Sequence, residues 1–555
     1  MEAEGEGAPP DATPTAAEDA ADEWPEDEPA EAEGTGPALT LECHLSEDSP
    51  ADGGDMKLAV SIQVPDVLVR PPVDICCVVD ISGSMGEVAT YEQDGVVKDD
   101  GLTILDIVKH AVKTVVHTLK DEDRFALVAF DENVDRVLAL TVMTEAGREQ
   151  AVAAVNSLEP RGRTNIWGGV LEGMEALREP AHKAGAGRLK TLLLLTDGLP
   201  NISPPRGHVA ELKDYKEKHP DFGFQISTFG FGYSLDSELL LGLAVEGNGT
   251  YAFIPDAVIV GTVFVNAVAN ALSTMTQDAT MHLMALGEGS IVGPVSGGYE
   301  ETTAAWGKVV SLGPLQFGQS REIVVPVRVP PGMEPYFEAV VIHPTQSGRE
   351  GRASAQSAQR TGSQTGLVAT ARNEIVSVGY KAVLDACSNK GRAAQQSVEA
   401  LKSGIATYEV ASVHRSSGGA GVDSRLAALK ADLEGRMSKA LKGKERFNRW
   451  GKHYLRALMR AHQVQQCTNF MDPGLQVYGG TLFRECRSQG DDVFLSLPPP
   501  KPSRARPPKP LPARPVVVAA ASPAVAAAPA YSPPPPRPRT PSPDMRTYYG
   551  GGGGG

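Results

Sequence analysis

Little in this chain suits soft-metal, redox or phosphate-loop chemistry. Its 555 residues include six cysteines, Cys43, Cys76, Cys77, Cys387, Cys467 and Cys486, and no two form a CxxC pair. That spacing excludes zinc-finger, RING and dithiol-redox motifs. So few scattered thiols predict no disulfide framework and a reducing compartment. Cys76 and Cys77 lie inside an apolar run and read as small buried strand side chains. No long uninterrupted apolar stretch is present either. The longest, over 257–275, follows Asp256 and is broken by Asn266, Asn270 and Ser273, which predicts a soluble helix and no membrane span. The acidic N-terminal stretch lacks the apolar core of a secretory signal, so a soluble, cytoplasmic protein is expected. Basic charge is scarce as well. The formal net charge is -17, with 13 acids and no Lys or Arg in the first 36 residues. Such a chain is a poor nucleic-acid binder, because no face would neutralise phosphates. There is no GxxxxGK[ST] loop and no G-x-S-x-G elbow, and the glycines after a strand in "GFGYSLDSELL", at 230–240, lack the G-x-G-x-x-G spacing.

What is present divides into blocks. Residues 1–36, rich in Ala, Glu, Asp and Pro, are too polar to order. Residues 37–70 read as two alternating strands, "LTLECHL" and "KLAVSIQVPD", around a polar turn. Over 71–276 apolar runs alternate with segments of helical period, the pattern of a doubly wound α/β domain. Strands are expected at Val73–Asp80, Arg124–Phe130, Arg136–Leu140, Leu189–Asp197, Phe224–Gly230 and Thr250–Ile254. Helices are expected near 103–119, 145–157, 168–178, 207–218, 236–246 and 257–275. Period-two alternation returns over 277–345 and predicts a β-sandwich, which the strands at 37–70 would help to complete. Residues 346–366 read as a linker, and 367–497 as a helical module. Leu426, Leu429, Leu433, Met437 and Leu441 share one helical face, and Phe447, Trp450, Tyr454, Leu458 and Ala461 another, as in an antiparallel helical pair. Residues 498–555 are Pro/Ala/Gly-rich and predict a disordered tail.

The chemistry concentrates at strand tips. "DISGSM", at 80–85, ends an apolar strand on Asp80, Ser82 and Ser84. Asp197 ends the nearly all-apolar "TLLLLTD", and Thr164 precedes a helix in "RGRTNIWGG". In an open parallel sheet, ligands bind at the carboxyl ends of strands. Asp80, Ser82, Ser84, Thr164 and Asp197 can therefore converge, and two carboxylates with three hydroxyls are hard ligands suited to Mg2+ or Mn2+. Gly83 is expected to relieve the tightest point of the turn. The segment Gly86–Gly101 reads as a long acidic loop bordering the site. It is either a solvated acidic loop or one whose acids cap the metal or steer basic partners.

DISGSM at 80–85, RTNI at 163–166 and LTDG at 195–198, in this order and between apolar strands, resemble the metal-ion-dependent adhesion site of a von Willebrand factor A (VWA) domain. The resemblance implies that Ser82, Ser84 and Thr164 coordinate Mg2+ directly, and Asp80 and Asp197 directly or through water. It also implies a position left for a partner protein's carboxylate. Where the family often has Gly-Gly before the Thr, this chain has Gly162 and Arg163; Arg163 either helps hold the partner's acid or is solvated. "LVATARNEIVSVGY" and "RFNRWGKHYLRALMRAHQVQQCTNFMDPGLQVYGG" are similar to the VWA/Hedgehog-intein-associated module of plant, algal and fungal proteins. Some of those carry RING or U-box ligase domains, or a self-splicing Hint domain. This chain has neither the cysteines of a RING nor a Hint-type block.

The reading that follows is a Mg2+-dependent protein-interaction or adaptor protein without catalysis of its own. Two alternatives stand beside it. One is a substrate-presenting component of a ubiquitin-ligase pathway. The other is a Mg2+-dependent hydrolase, which would require a histidine near Ser82 or Ser84. His110 and His117 read instead as half-exposed helix residues. In the tail, Arg504, Pro507 and Pro510 fit R-x-x-P-x-x-P, the pattern read by SH3-like grooves.

Overall fold

The computed structural model describes residues 38–93, 96–179, 187–345, 349–415 and 421–503. The acidic N-terminal stretch and the tail motif with Arg504, Pro507 and Pro510 lie outside the described residues.

Strands β1 (Thr40–Leu45) and β2 (Gly54–Gln63) come first, followed by β3 (Val73–Asp80) and a hairpin, β4 (Val88–Gln93) and β5 (Val96–Thr103). The α/β domain continues through α1 (Ile104–Thr118), β6 (Arg124–Phe130), β7 (Val134–Val142), α2 (Glu145–Asn156), α3 (Ile166–Arg178), β8 (Leu189–Thr196) and α4 (His208–Lys218). It closes with β9 (Gln225–Phe231), α5 (Ser237–Glu246), β10 (Asn248–Ile254) and α6 (Val260–Leu272). The sheet order is β10-β9-β8-β3-β6-β7, parallel except for β7, which pairs antiparallel with β6. All eight residues of β3 are buried. Val73, Ile75, Cys77 and Val79 pack with α1 and α6, while Cys76 and Val78 pack with α3 on the other face. A continuous apolar run is the sequence mark of a strand covered twice. Asp74, the charge inside that run, is held by Arg124 and Arg188, each with Nε 2.8 Å from its carboxylate.

After α6 a single residue, Ser273, leads into β11 (Thr274–Ala285), which begins earlier than the sequence pattern placed it. Short β12 (Ser290–Ile291) and β13 (Glu301–Ala304) follow, then β14 (Gly307–Gln316), β15 (Ser320–Val329) and β16 (Phe337–Pro344). One sheet runs β1-β2-β15-β12, and the facing sheet contains β13-β14-β11-β16. The strands before the α/β domain thus pair with one that follows it, Val60 opposite Ile323, and the α/β domain is inserted between strands of a sandwich. Leu58, Val60 and Val325 of one sheet share a core with Met281, Leu283 and Val341 of the other.

The structure corrects three expectations. Residues 346–366 are not simply a linker: β17 (Glu350–Ser357) pairs along β16 as the edge of its sheet, and a helix begins at Gln364. An edge strand buries little, so "EGRASAQS" folds without an apolar stripe. The loop bordering the site is a hairpin, β4–β5. His110 is buried, its ring 4.7 Å from that of Phe494.

The helical module comprises α7 (Gln364–Cys387), α8 (Gly391–Arg415), α9 (Ser424–Asp432), α10 (Lys452–Val464) and α11 (Thr481–Ser496). The two predicted stripes are buried, except that Trp450 is half-exposed, but they do not lie on two straight helices. π turns at Leu433–Met437, kinked at Gly435, and at Phe447–Gly451 interrupt them. α10 covers the β10 edge of the α/β sheet, and Arg460 Nε donates to Gly249 O at 2.9 Å. Arg321 of β15, fully buried, donates to Val464 O and Leu312 O and ties the sandwich to the end of α10.

Candidate metal centre

β3 and β8 are neighbours, with Val79 opposite Leu195, so Asp80 ends one strand beside Thr196, the last residue of the other. Thr196 Oγ1 donates to Asp80 Oδ2 at 2.5 Å, and the other carboxylate oxygen accepts Ser82 N at 2.8 Å. The chain then turns through a 3-10 segment, Gly83–Gly86. Ser82 Oγ and Ser84 Oγ lie 3.2 Å apart, and Ser84 Oγ donates to Asp197 Oδ1 at 2.8 Å. Thr164 enters from the loop before α3. Its N donates to Asn201 Oδ1 at 3.0 Å, and its carbonyl accepts Asn201 N at 2.9 Å and Ile202 N at 3.2 Å. A Cβ on Gly198 would stand 3.3 Å from Thr164 Oγ1 and 3.8 Å from Ser84 Oγ. The space these two hydroxyls share is therefore kept open by a glycine.

All five residues singled out from the sequence are gathered at the tips of β3 and β8. Asp80, Ser82, Thr164 and Asp197 are buried, and Ser84 is half-buried. Arg163 is exposed at the rim. Its neighbour Arg161 is the residue engaged, with Nε 3.0 Å from Asp131 Oδ2 and a second pairing to Asp135. The steric constraint expected at Gly83 lies elsewhere. A Cβ there would meet only Gly162 O, at an ordinary 3.6 Å. Gly162 has φ +66°, and a Cβ on it would come within 2.7 Å of Asp131 Oδ2. Three contributors escaped the sequence reading. Thr196 lies inside LTDG. Asp131, an acid directly after the apolar strand "RFALVAF", carries the same signal as Asp80. Asn201 carries none.

Burial pushes the Asp80 carboxyl up. Burial, and after it the charge of Asp80, pushes Asp197 up to about 7. Among the described residues neither carboxylate forms an ion pair; their partners are hydroxyls and backbone N–H groups. Buried charges are normally paired or bound to metal, and among the described residues these two carboxyl groups meet only neutral donors. Among the described residues no group of three or more His, Cys, Asp or Glu is gathered for a metal; here two carboxylates stand with three hydroxyls. That all-oxygen set fits Mg2+ or Mn2+ and suits soft metals poorly. Exposed Leu199 and half-exposed Ile202 add apolar surface beside the polar mouth.

The von Willebrand factor type A domain profile matches residues 74–262, and the profile described as VWA / Hh protein intein-like matches residues 423–492. Human inter-alpha-trypsin inhibitor heavy chain H3 is 26% identical over 218 residues, covering 38% of this chain and 22% of its own length. The Arabidopsis thaliana E3 ubiquitin-protein ligase WAV3 is 26% identical over 273 residues, 47% of this chain and 31% of its own. An uncharacterized protein of Synechocystis, sll0103, is 26% identical over 39% of this chain and 46% of its own. The chain thus spans less than half the length of these curated relatives. Among solved structures, a von Willebrand factor type A protein from Catenulispora acidiphila superposes with a TM-score of 0.52 at 17% identity, covering 71% of this chain and 90% of that one. This likeness shows the fold.

Proposed function

We propose that this chain, a von Willebrand factor A domain protein with a C-terminal VWA/Hh intein-like module, is an adaptor that captures an acidic group of a partner protein through a divalent cation. Asp80, Ser82, Ser84, Thr164 and Asp197 would hold Mg2+, or Mn2+ in its place. The supporting observation is the pair of buried carboxylates, linked through Ser84 and Ser82, with no cationic partner among the described residues. A divalent ion bound there supplies positive charge and an open coordination position to an incoming carboxylate. The chain's own residues do the rest. Thr196 and the Ser82 N–H fix both oxygens of Asp80, and Asn201 fixes the backbone of Thr164. The glycine at 198 leaves the mouth free, and Leu199 and Ile202 offer apolar contact to the partner. Among the described residues no histidine is a hydrogen-bond partner of the site, so the hydrolase alternative has no base to draw on there. Calorimetric titration of Mg2+ into the full chain tests the reading. Binding in wild type and its loss in a folded Asp80→Ala, Ser82→Ala variant would support it; no binding in wild type would sink it.

A second reading draws on the ubiquitin-ligase relative, whose similarity extends over 273 residues, more than the matched VWA span. In that reading the chain presents substrates to a separate ligase. It predicts co-purification of ligase subunits, and it fails if loss of the chain leaves substrate ubiquitination unchanged.

A further inference from the structure

We infer that the helical module carries a second binding site, a basic cleft for a compact polyphosphate. The cleft, of about 470 Å³, opens between the α/β domain and the two π turns, lined by Tyr233 and Phe253 on one side and by Arg436, Arg449 and Trp450 on the other. An adjoining recess adds Lys442 and Lys444. Together the linings hold six bases and two acids, Asp256 and Glu445. The chain has 69 acids against 52 Lys and Arg, so a surface base is surrounded by potential partners. Yet among the described residues Arg436, Lys439, Lys442, Arg446 and Arg449 form no ion pair.

Two of these bases are also pre-positioned. The Arg436 guanidinium lies 5.1 Å from the centre of the Tyr454 ring, with Nη1 2.9 Å from Met471 Sδ. The Arg449 guanidinium lies 5.1 Å from the centre of the Tyr233 ring. A guanidinium stacked on a ring keeps its N–H edge for phosphate, and immobilising it beforehand lowers the entropy cost of binding. Both arginines sit on π turns, Leu433–Met437 and Phe447–Gly451. Such turns are rare and frequent at functional sites. Asp256 is occupied in capping, with Oδ1 accepting Val258 N at 3.0 Å. Concavity and convergent bases without ion pairs among the described residues, on a chain of net charge -17, favour a small polyanion over nucleic acid.

The test titrates inorganic tripolyphosphate into the full chain in EDTA, followed by heat and by tryptophan emission. EDTA makes the result independent of the metal centre. Wild type should saturate, and Arg436→Gln and Arg449→Gln should each weaken binding about ten-fold or more, the loss of one charge-assisted contact. Arg206→Gln, which alters a base already paired with Glu211, should bind as wild type does. Trp450→Phe should lose most of the emission change. No saturation in wild type would overturn the proposal, and so would equal binding by the cleft variants or an emission change that survives Trp450→Phe. If a peptide of residues 1–36 binds where tripolyphosphate does not, the cleft is a dock for the chain's own acidic segment, and the polyphosphate assignment falls.

Discussion

Mg2+ binding should release protons, in an amount set by Asp197. Its carboxyl is pushed up to about 7 by burial and by the charge of Asp80, while a bound cation requires the carboxylate form. The protonated fraction, and so the release per ion, is about 0.9 at pH 6, about 0.5 at pH 7 and about 0.1 at pH 8. Apparent affinity should fall roughly ten-fold per pH unit below 7 and level off above it. The same shift acts on the metal-free fold. Between pH 3.8 and about 7 the folded chain binds more protons at Asp197 than the unfolded chain. Stability therefore declines as pH rises through that window, by up to ~4 kcal/mol from this group. Mg2+ should restore it, raising the melting temperature more at pH 8 than at pH 5. The assay is calorimetry at pH 6, 7 and 8 in buffers of different ionisation enthalpy, with Asp197→Asn as control. Binding heats independent of buffer at pH 6 and 7, with binding intact, would refute the assignment of Asp197 as a protonated ligand waiting for a cation.

Three substitutions probe the supporting structure. Gly198→Ala places a methyl 3.3 Å from Thr164 Oγ1; Mg2+ affinity should fall roughly ten-fold, about 1.4 kcal/mol, with little change in unfolding midpoint. Gly162→Ala puts a side chain at φ +66° and against Asp131; a cost of about 1–3 kcal/mol in urea unfolding is expected, together with weaker metal binding, because this loop carries Thr164. Glu322→Ala strands Arg372, buried on α7, at a cost of about 3–5 kcal/mol. Burial alone would raise the Glu322 carboxyl, but Arg372 holds it below 4.5, so its stabilisation is fully present above that pH and is lost as the pH falls below it. The gap between wild type and variant should narrow in acid; a constant gap down to pH 3 would refute the ion-pair account.

Most of the α/β domain is legible because its strands are apolar runs closed by acids or turns. β3 and β6 match the pattern to the residue, since fully buried strands admit no polar position except a paired one such as Asp74. The candidate site is legible for a related reason: hydroxyls and acids at the end of such a run are not needed for packing. What stayed hidden depends on partners distant in sequence. Alternation tells which face of β2 is buried, not that its partner is β15, which begins at Ser320. Arg321 is fully buried because the carbonyls of Val464 and Leu312 receive it, and strand alternation does not show those partners. The π turns are invisible because the stripe from Leu426 to Leu441 keeps helical spacing through the kink. Gly162 is constrained by Asp131, 31 residues earlier, and only the folded loop brings them together.

The two sites lie along the same edge of the sheet, and this has a physical consequence. The candidate metal centre sits at the tips of β3 and β8, while Tyr233 of the cleft follows β9, Phe253 lies near the end of β10 and Asp256 follows it. In the order β10-β9-β8-β3, only β9 separates β8 from β10. Two strand spacings are about 10 Å, close to the Debye length of about 8 Å at physiological salt. A polyphosphate in the cleft should therefore repel an acidic partner arriving at the metal. The effect should be visible near 10 mM salt, where screening extends over about 30 Å, and should be mostly lost at 150 mM. Partner affinity measured with and without tripolyphosphate, with free Mg2+ held constant, should separate at low salt and converge at high salt in wild type. Arg436→Gln should abolish the separation. A difference that persisted unchanged at high salt would instead indicate direct steric overlap at the module boundary.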